Sequence, residues 1–279
     1  MGLARVYVIV RCIMTQGATD MTIMRCEMDG KLAIITMTNQ AKRNVLSEAM
    51  IDGIIAGLEQ ASQAKARVVI LRAEPGCKVW SAGHDVSELP AAHRDPLGWS
   101  DPLRVVIRAI EEFPAPVIAL IEGGVWGGAC EMALACDIVV ATPDSTFALT
   151  PAKLGIPYNV SGLLTFMNVT GIHMVREMAF TARPISAQRA QALGIVNHVR
   201  GAEEITYYCT MLARDIEKLA PLAIAVMKEE MRVLASAHSI TPRMFERVQG
   251  LRRKVYDSQD YQEGVRAFKE KRQPNFTGE

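Results

Sequence analysis

Four glycines within the six residues 123–128 constrain this chain more than any other feature. The stretch reads Glu122-Gly123-Gly124-Val125-Trp126-Gly127-Gly128-Ala129-Cys130-Glu131, between an apolar run at 116–121 and a helix-like run at 129–136. A strand therefore feeds a glycine turn that opens a helix. The first turn of a helix carries backbone N–H groups with no partner inside the helix, and its dipole favours negative charge. Glycine lets a ligand come close to the backbone. The pattern predicts a place to hold an anion, or an oxygen that becomes one during a reaction. Neither G-x-G-x-x-G nor G-x-x-x-x-G-K-[ST] is present, and no Lys follows the glycines, so the nucleotide fingerprints are not met. A developing oxyanion held by backbone donors and a tight turn for helix–strand packing both remain open on this stretch alone.

A second turn of the same kind sits upstream. Val79-Trp80-Ser81-Ala82-Gly83-His84-Asp85-Val86 follows the apolar run 67–72, and reads as a strand, a small-residue turn and a polar helix start. Two such turns can each offer one N–H to a single carbonyl oxygen.

Taken in order, Ser81-Ala82-Gly83-His84-Asp85, Gly127-Gly128-Ala129-Cys130-Glu131, the run 136–142 from Cys136-Asp137, and 147–155 resemble the crotonase (enoyl-CoA hydratase/isomerase) superfamily from about Met21 onward. The resemblance implies an α/β fold, a crotonase-like stacked ββα superhelix with a C-terminal helical region. It divides the chain into an extension at 1–20, a core at 21–200 and a helical trimerisation region at 201–279. It also implies that the N–H groups of His84 and Gly128 bind the thioester carbonyl of an acyl-CoA, with Ala82, Gly83, Asp85 and Val86 along the substrate. Thr150 and Tyr158 fall at the acyl end, where neutral hydroxyls would orient a carboxylate and Tyr158, or a water beside it, would deliver a proton. Lys271, from the basic cluster Lys269, Lys271 and Arg272, would reach a CoA phosphate; otherwise such a cluster is a solvated helix face.

Hydratases of that superfamily carry two glutamates. The first matches Glu131, which also suits a helix start; the second falls at Pro151, which has no ionisable group. A two-carboxylate addition of water is thus disfavoured. Residues 78–85, 125–128, 155–159, 256–264 and 274–276 resemble the decarboxylating subgroup. The implied reaction is decarboxylation of methylmalonyl-CoA to propionyl-CoA through a thioester enolate, with no cofactor beyond the CoA of the substrate. A hydratase or isomerase on another acyl-CoA, and a non-catalytic RNA-binding member, are the alternatives.

Composition reads as that of a soluble globular protein. The 279 residues are 49% hydrophobic and 22% charged, with net charge +1. No basic excess points to nucleic acid, and no basic amphipathic segment to a membrane. Cys12, Cys26, Cys77, Cys130, Cys136 and Cys209 are scattered without C-x-x-C, and the five histidines are dispersed, so neither a disulfide framework nor a metal site is expected. The scattered cysteines read as reduced cytoplasmic thiols, and the resemblance of the C-terminal helices implies a homotrimer or homohexamer. The apolar stretch 3–14 is broken by Arg11 and is too short to span a bilayer; it reads as an upstream start, a tag-like extension or a poorly ordered arm.

Local patterns place the remaining elements. Residues 32–38, 68–71, 117–121 and 138–141 read as strands separated by helical stretches, a right-handed crossover pattern. Ser47 suits a helix N-cap before Met50, Ile51, Ile54, Ile55 and Leu58 at helical spacing. Three prolines and a glycine make 90–102 irregular, as a lid or a surface loop. Ser186 caps a short helix that Gly194 ends; helices at 203–219, 221–235, 242–256 and 261–271 follow. Leu222, Ala225, Val226, Glu229 and Val233 form a stripe for the core or an interface.

Overall fold

The computed structural model describes residues 23–90, 98–237 and 240–279. The extension at 1–20, Cys12 within it, and the centre of the 90–102 segment lie outside the described residues.

The strands alternate between two sheets. β1 (Met24–Asp29) and β2 (Leu32–Met37) pair antiparallel, and β2 lies parallel to β3 (Val68–Ala73). The chain then crosses to the second sheet for β4 (Val79–Ser81), returns for β5 (Val117–Ile121), and crosses again for β6 (Gly124–Trp126). β7 (Ile138–Ala141) and β8 (Thr146–Ala148) repeat the step, followed by β9 (Ile185–Ser186) and β10 (His198–Val199). The result is one sheet in the order β1-β2-β3-β5-β7-β10 and another in the order β4-β6-β8-β9. Each turn of the chain lays one strand on each sheet, which is the stacked ββα superhelix.

The continuous apolar runs follow from this layering. In β3, Val69 and Leu71 face one core, while Val68 and Ile70 face a second; in β5, Val117, Ala119 and Ile121 divide from Ile118 and Leu120 in the same way. Successive strand side chains point to opposite faces, so a strand covered on both sides has no polar face. The first core receives α1 (Glu48–Gln63), through Met50, Ile51, Ile54 and Leu58, and Leu103, Val106, Ile107 and Ile110 of α2 (Pro102–Glu111). The second receives Ile205, Cys209 and Ala213 of α7 (Ala202–Glu217). Each Val, Leu, Ile or Met among them, fully buried, contributes roughly 1.5–3 kcal/mol.

Ser47 caps α1 through its hydroxyl, and Ser186 caps α6 (Ala187–Ala192), as their positions predict. α3 (Gly128–Ala135) starts inside the glycine turn, and α4 (Val160–Val169) and α5 (Ile172–Thr181) lie between β8 and β9. The turn after β4 leads to a single 3-10 turn, Val86–Glu88, instead of a longer helix: Asp85 caps its start by accepting from Ser87 N at 2.9 Å, and Leu89, before Pro90, is already extended. At the C-terminal end stand α8 (Pro221–Ala235), α9 (Pro242–Tyr256) and α10 (Gln259–Lys269). In α8, Leu222, Val226 and Val233 are exposed rather than core; buried Lys228 anchors the helix instead, donating to Asp137 Oδ2 at 2.7 Å and to the carbonyls of Ile110 and Ala115. Among the described residues no helix is long and apolar enough to cross a membrane.

Candidate active site

The two glycine turns meet across the parallel pairing of β4 with β6. Gly83 has φ +84°, and a Cβ there would stand 2.4 Å from Trp126 O and 3.0 Å from Gly128 N. Gly127 has φ +57° with ψ −126°, and a Cβ there would meet Thr150 Oγ1 at 2.9 Å. Side chains are thus excluded at both positions by backbone angle and by space.

Each turn holds one peptide by its carbonyl. Gly83 O accepts from Leu46 N at 2.8 Å, and Gly127 O accepts from Cys130 N at 3.0 Å. A trans peptide is planar, with its N–H directed opposite to its C=O. The N–H groups of His84 and Gly128 therefore turn away from those anchors. Both residues line one cavity of about 410 Å³. Gly128 is the first residue of α3, where the helix leaves the N–H without an internal partner.

Ala82, Asp85, Val86, Thr150 and Tyr158 line the same cavity. Gly83 sits behind it, against Gly128. Lys271 is exposed and is not among the lining residues; Phe268, Arg272 and Pro274 of the same tail are. Asp85 faces the cavity with its carboxylate already accepting from Ser87 N and Oγ. Tyr158 OH donates to Gly127 O at 3.4 Å, the carbonyl of the peptide whose N–H belongs to Gly128. Burial, then the charge of Glu131, push the Tyr158 phenol well above its ordinary value, so it remains a neutral hydroxyl.

Glu131 is 1% exposed. Its carboxylate pairs with Arg104 of α2 and accepts from Asn159 Nδ2 at 3.4 Å. Burial lifts its pKa to about 7, against the lowering pull of Arg104 and Asn159. Pro151, opposite, opens a 3-10 turn over Pro151–Leu154. The cavity thus offers two convergent peptide donors, neutral hydroxyls and two carboxylates already engaged, Glu131 by Arg104 and Asp85 by Ser87. That set suits stabilising a charge on oxygen better than activating water.

The enoyl-CoA hydratase/isomerase family pattern matches residues 27–279. The chain belongs to the enoyl-CoA hydratase/isomerase family. Within that family, the methylmalonyl-CoA decarboxylase of Escherichia coli (strain K12) is 50% identical over 248 residues, 89% of this chain and 95% of that protein. A solved methylmalonyl-CoA decarboxylase in complex with 2-nitronate-propionyl-CoA superposes with TM-score 0.91 at 48% identity, covering 92% of this chain and 99% of its own. Another, complexed with 2S-carboxypropyl-CoA, gives TM-score 0.91 at 48% identity over 94% of this chain and all of that one (100%). The fold is the crotonase-like one that the paired glycine motifs imply.

Three family-site neighbours escape the sequence reading. Arg104 neutralises Glu131. Asn159 binds Glu131 while its Oδ1 caps α4 by accepting from Gly162 N at 2.5 Å. Arg252 of α9 donates to Pro157 O at 3.2 Å and Tyr158 O at 2.7 Å, fixing the backbone that carries the tyrosine. Only Asn159, an Asn just before a helical run, carries a local signal. Among the described residues no group of three His, Cys, Asp or Glu side chains is placed to hold a metal ion.

Proposed function

We propose that this protein decarboxylates methylmalonyl-CoA to propionyl-CoA through a thioester enolate held by the N–H groups of His84 and Gly128. The observation that carries the reading is the pair of peptides anchored by their carbonyls, with donors turned into one cavity whose carboxylates among the described residues, Glu131 and Asp85, are both engaged by neighbours.

The bond from the α-carbon to the carboxylate breaks, and carbon dioxide leaves. Its electron pair moves into the α-carbon–carbonyl bond, and the thioester oxygen takes the negative charge. Donors aimed at that oxygen act most strongly in the transition state, each worth roughly 3–4 kcal/mol. No base is needed to form the enolate. Thr150 and Tyr158 orient the departing carboxylate without fixing it by a full positive charge, which would stabilise the ground state. Tyr158, or a water beside it, then delivers a proton to the α-carbon, and the donor is re-protonated from solvent. Glu131 with Arg104 holds the floor of the site. The tail around Lys271 and Arg272 meets the CoA phosphates.

The exposed apolar side chains of α8, among them Leu222, Val226 and Met231, support self-association, as a trimer or hexamer. Cys26, Cys77, Cys130, Cys136 and Cys209 are buried free thiols, which accords with a reducing, cytoplasmic setting. No cofactor is invoked beyond the CoA of the substrate.

Incubation of the purified protein with methylmalonyl-CoA, malonyl-CoA and crotonyl-CoA tests the reading. Carbon dioxide and propionyl-CoA are expected from the first, and no hydration of the third. Hydration of crotonyl-CoA without carbon dioxide release would replace decarboxylation with hydratase activity.

A further inference from the structure

The first turn of α2 reaches both halves of the proposed donor pair. Leu103 Cδ2 lies 2.6 Å from where a Cβ on Gly128 would stand, and Arg104 pairs with Glu131 on α3. Asp101, the N-cap of this helix, divides its carboxylate between two tasks. Oδ1 accepts from Leu103 N at 2.9 Å, and Oδ2 lies 3.2 Å from His84 Nε2. The other ring nitrogen, Nδ1, lies 3.1 Å from Asp85 O.

We propose that Asp101 is a positioning residue for this protein's reaction, clamping the His84 ring so that the 83–84 peptide keeps its N–H on the thioester oxygen. The inference rests on the reaction proposed above and assigns the clamp a part in it. A helix cap needs one side-chain oxygen. The second oxygen of an exposed cap would face water, but the Asp101 side chain is only 8% exposed and this oxygen faces a ring that is 17% exposed. The peptide itself has a soft side: Gly83 precedes it at φ +84°, where glycine allows wide backbone rotation. Leu46 N holds the carbonyl end. The ring, tethered at both nitrogens, holds the other.

Both ring partners are acceptors, so the arrangement favours the doubly protonated ring, in which both nitrogens donate. Burial opposes that charge, but the hydrogen bond and charge of Asp101, the Asp85 carbonyl and the charge of Glu88 outweigh it, and the ring pKa is raised. Across the cavity stand Arg43, Lys153 and Arg272, with Glu131 already held by Arg104. The helix that seats Gly128 through Leu103 thus also seats His84 through Asp101.

Two substitutions separate clamp from cap. Asp101→Ser keeps a good N-cap but is too short to reach the ring. Asp101→Asn keeps a cap and a neutral partner. Each is compared with wild type by melting temperature, by kcat and KM on methylmalonyl-CoA, and by NMR titration of the His84 ring nitrogens in the ligand-free protein. The expected Ser variant melts near wild type and loses at least about tenfold in kcat, with KM moved less than about threefold and the His84 ring titrating at lower pH. The Asn variant is expected between the two in kcat, again with a lowered ring titration, and carries the comparison if the Ser protein does not fold. Wild-type kcat in the Ser variant makes Asp101 a cap alone and overturns the proposal, as does an unmoved His84 titration in either variant. A wild-type protein that releases no carbon dioxide instead defeats the proposed reaction, and the ligand-free titration still decides the clamp.

Discussion

Replacing Gly162 with alanine sets helix propensity against the geometry of the site. Gly162 is the third residue of α4, and by propensity alone Gly→Ala in a helix gains up to about 1 kcal/mol. Here the added Cβ would stand 2.4 Å from Tyr158 Cε1 and 2.8 Å from both Cδ and Oε2 of Glu131, where ordinary contact begins at 3.4 Å. Neither neighbour has room to retreat. Glu131 is held from its far side by Arg104 and Asn159. The Tyr158 ring stands edge-on to Phe166, with centroids 6.0 Å apart. Relief therefore takes a shift of about 1 Å in the tyrosine, and overpacking of this kind costs about 1–3 kcal/mol. The expected net effect is a destabilisation of up to about 2 kcal/mol. A 1 Å misplacement of a positioning group can cost on the order of 100-fold in rate, so kcat is expected to fall by about that much. Urea denaturation and direct measurement of carbon dioxide release read the two effects on the same preparation. A Gly162→Ala protein that is more stable than wild type and turns over normally would refute the reasoning.

Three further outcomes follow from the same geometry. Tyr158→Phe is expected to keep its fold and lose on the order of 100-fold in kcat, as loss of one aimed donor does; unchanged product formation removes the hydroxyl from the mechanism. Glu131 has a folded-state pKa of about 7 against an ordinary 4.5, so the folded protein binds the extra proton between those values. Its contribution is full below pH 4.5 and is lost as pH rises to about 7, a fall of about 3 kcal/mol. Denaturant titrations across that range should show a correspondingly shallower decline in Glu131→Gln, and parallel declines would contradict the assignment. Lys228→Met removes the donor to Asp137, Ile110 O and Ala115 O. A loss of about 3 kcal/mol is expected, and an unchanged urea midpoint would show that α8 does not depend on the anchor.

The legible parts of this fold are those with local causes. β2, β3, β5 and β7 announce themselves as apolar runs because they are buried on both faces. β4, β6 and β8 have three residues each, too few to show a period, and exist because the second sheet pairs them. The glycine turns are visible because a positive φ restricts residue type at Gly83 and Gly127. The charged supports are not visible, because the pairs that matter lie far apart in sequence. Asp101 reaches back 17 residues to His84, Arg104 reaches 27 residues to Glu131, and Arg252 reaches 94 residues to Tyr158. No local pattern could link them. The stripe on α8 shows the opposite limit: helical spacing marks an apolar face but does not say what covers it, and Leu222, Val226 and Val233 are exposed.

The central claim concerns two peptide groups acting on one thioester oxygen, and the carbonyl itself reports on it. Infrared difference spectra of propionyl-CoA with and without a ¹³C label at the thioester carbonyl isolate that single stretch on the protein. Two N–H donors pull electron density onto the oxygen and weaken the C=O bond, so the band is expected to move to lower frequency on binding. A bound carbonyl with its frequency in water, or above it, would contradict the account.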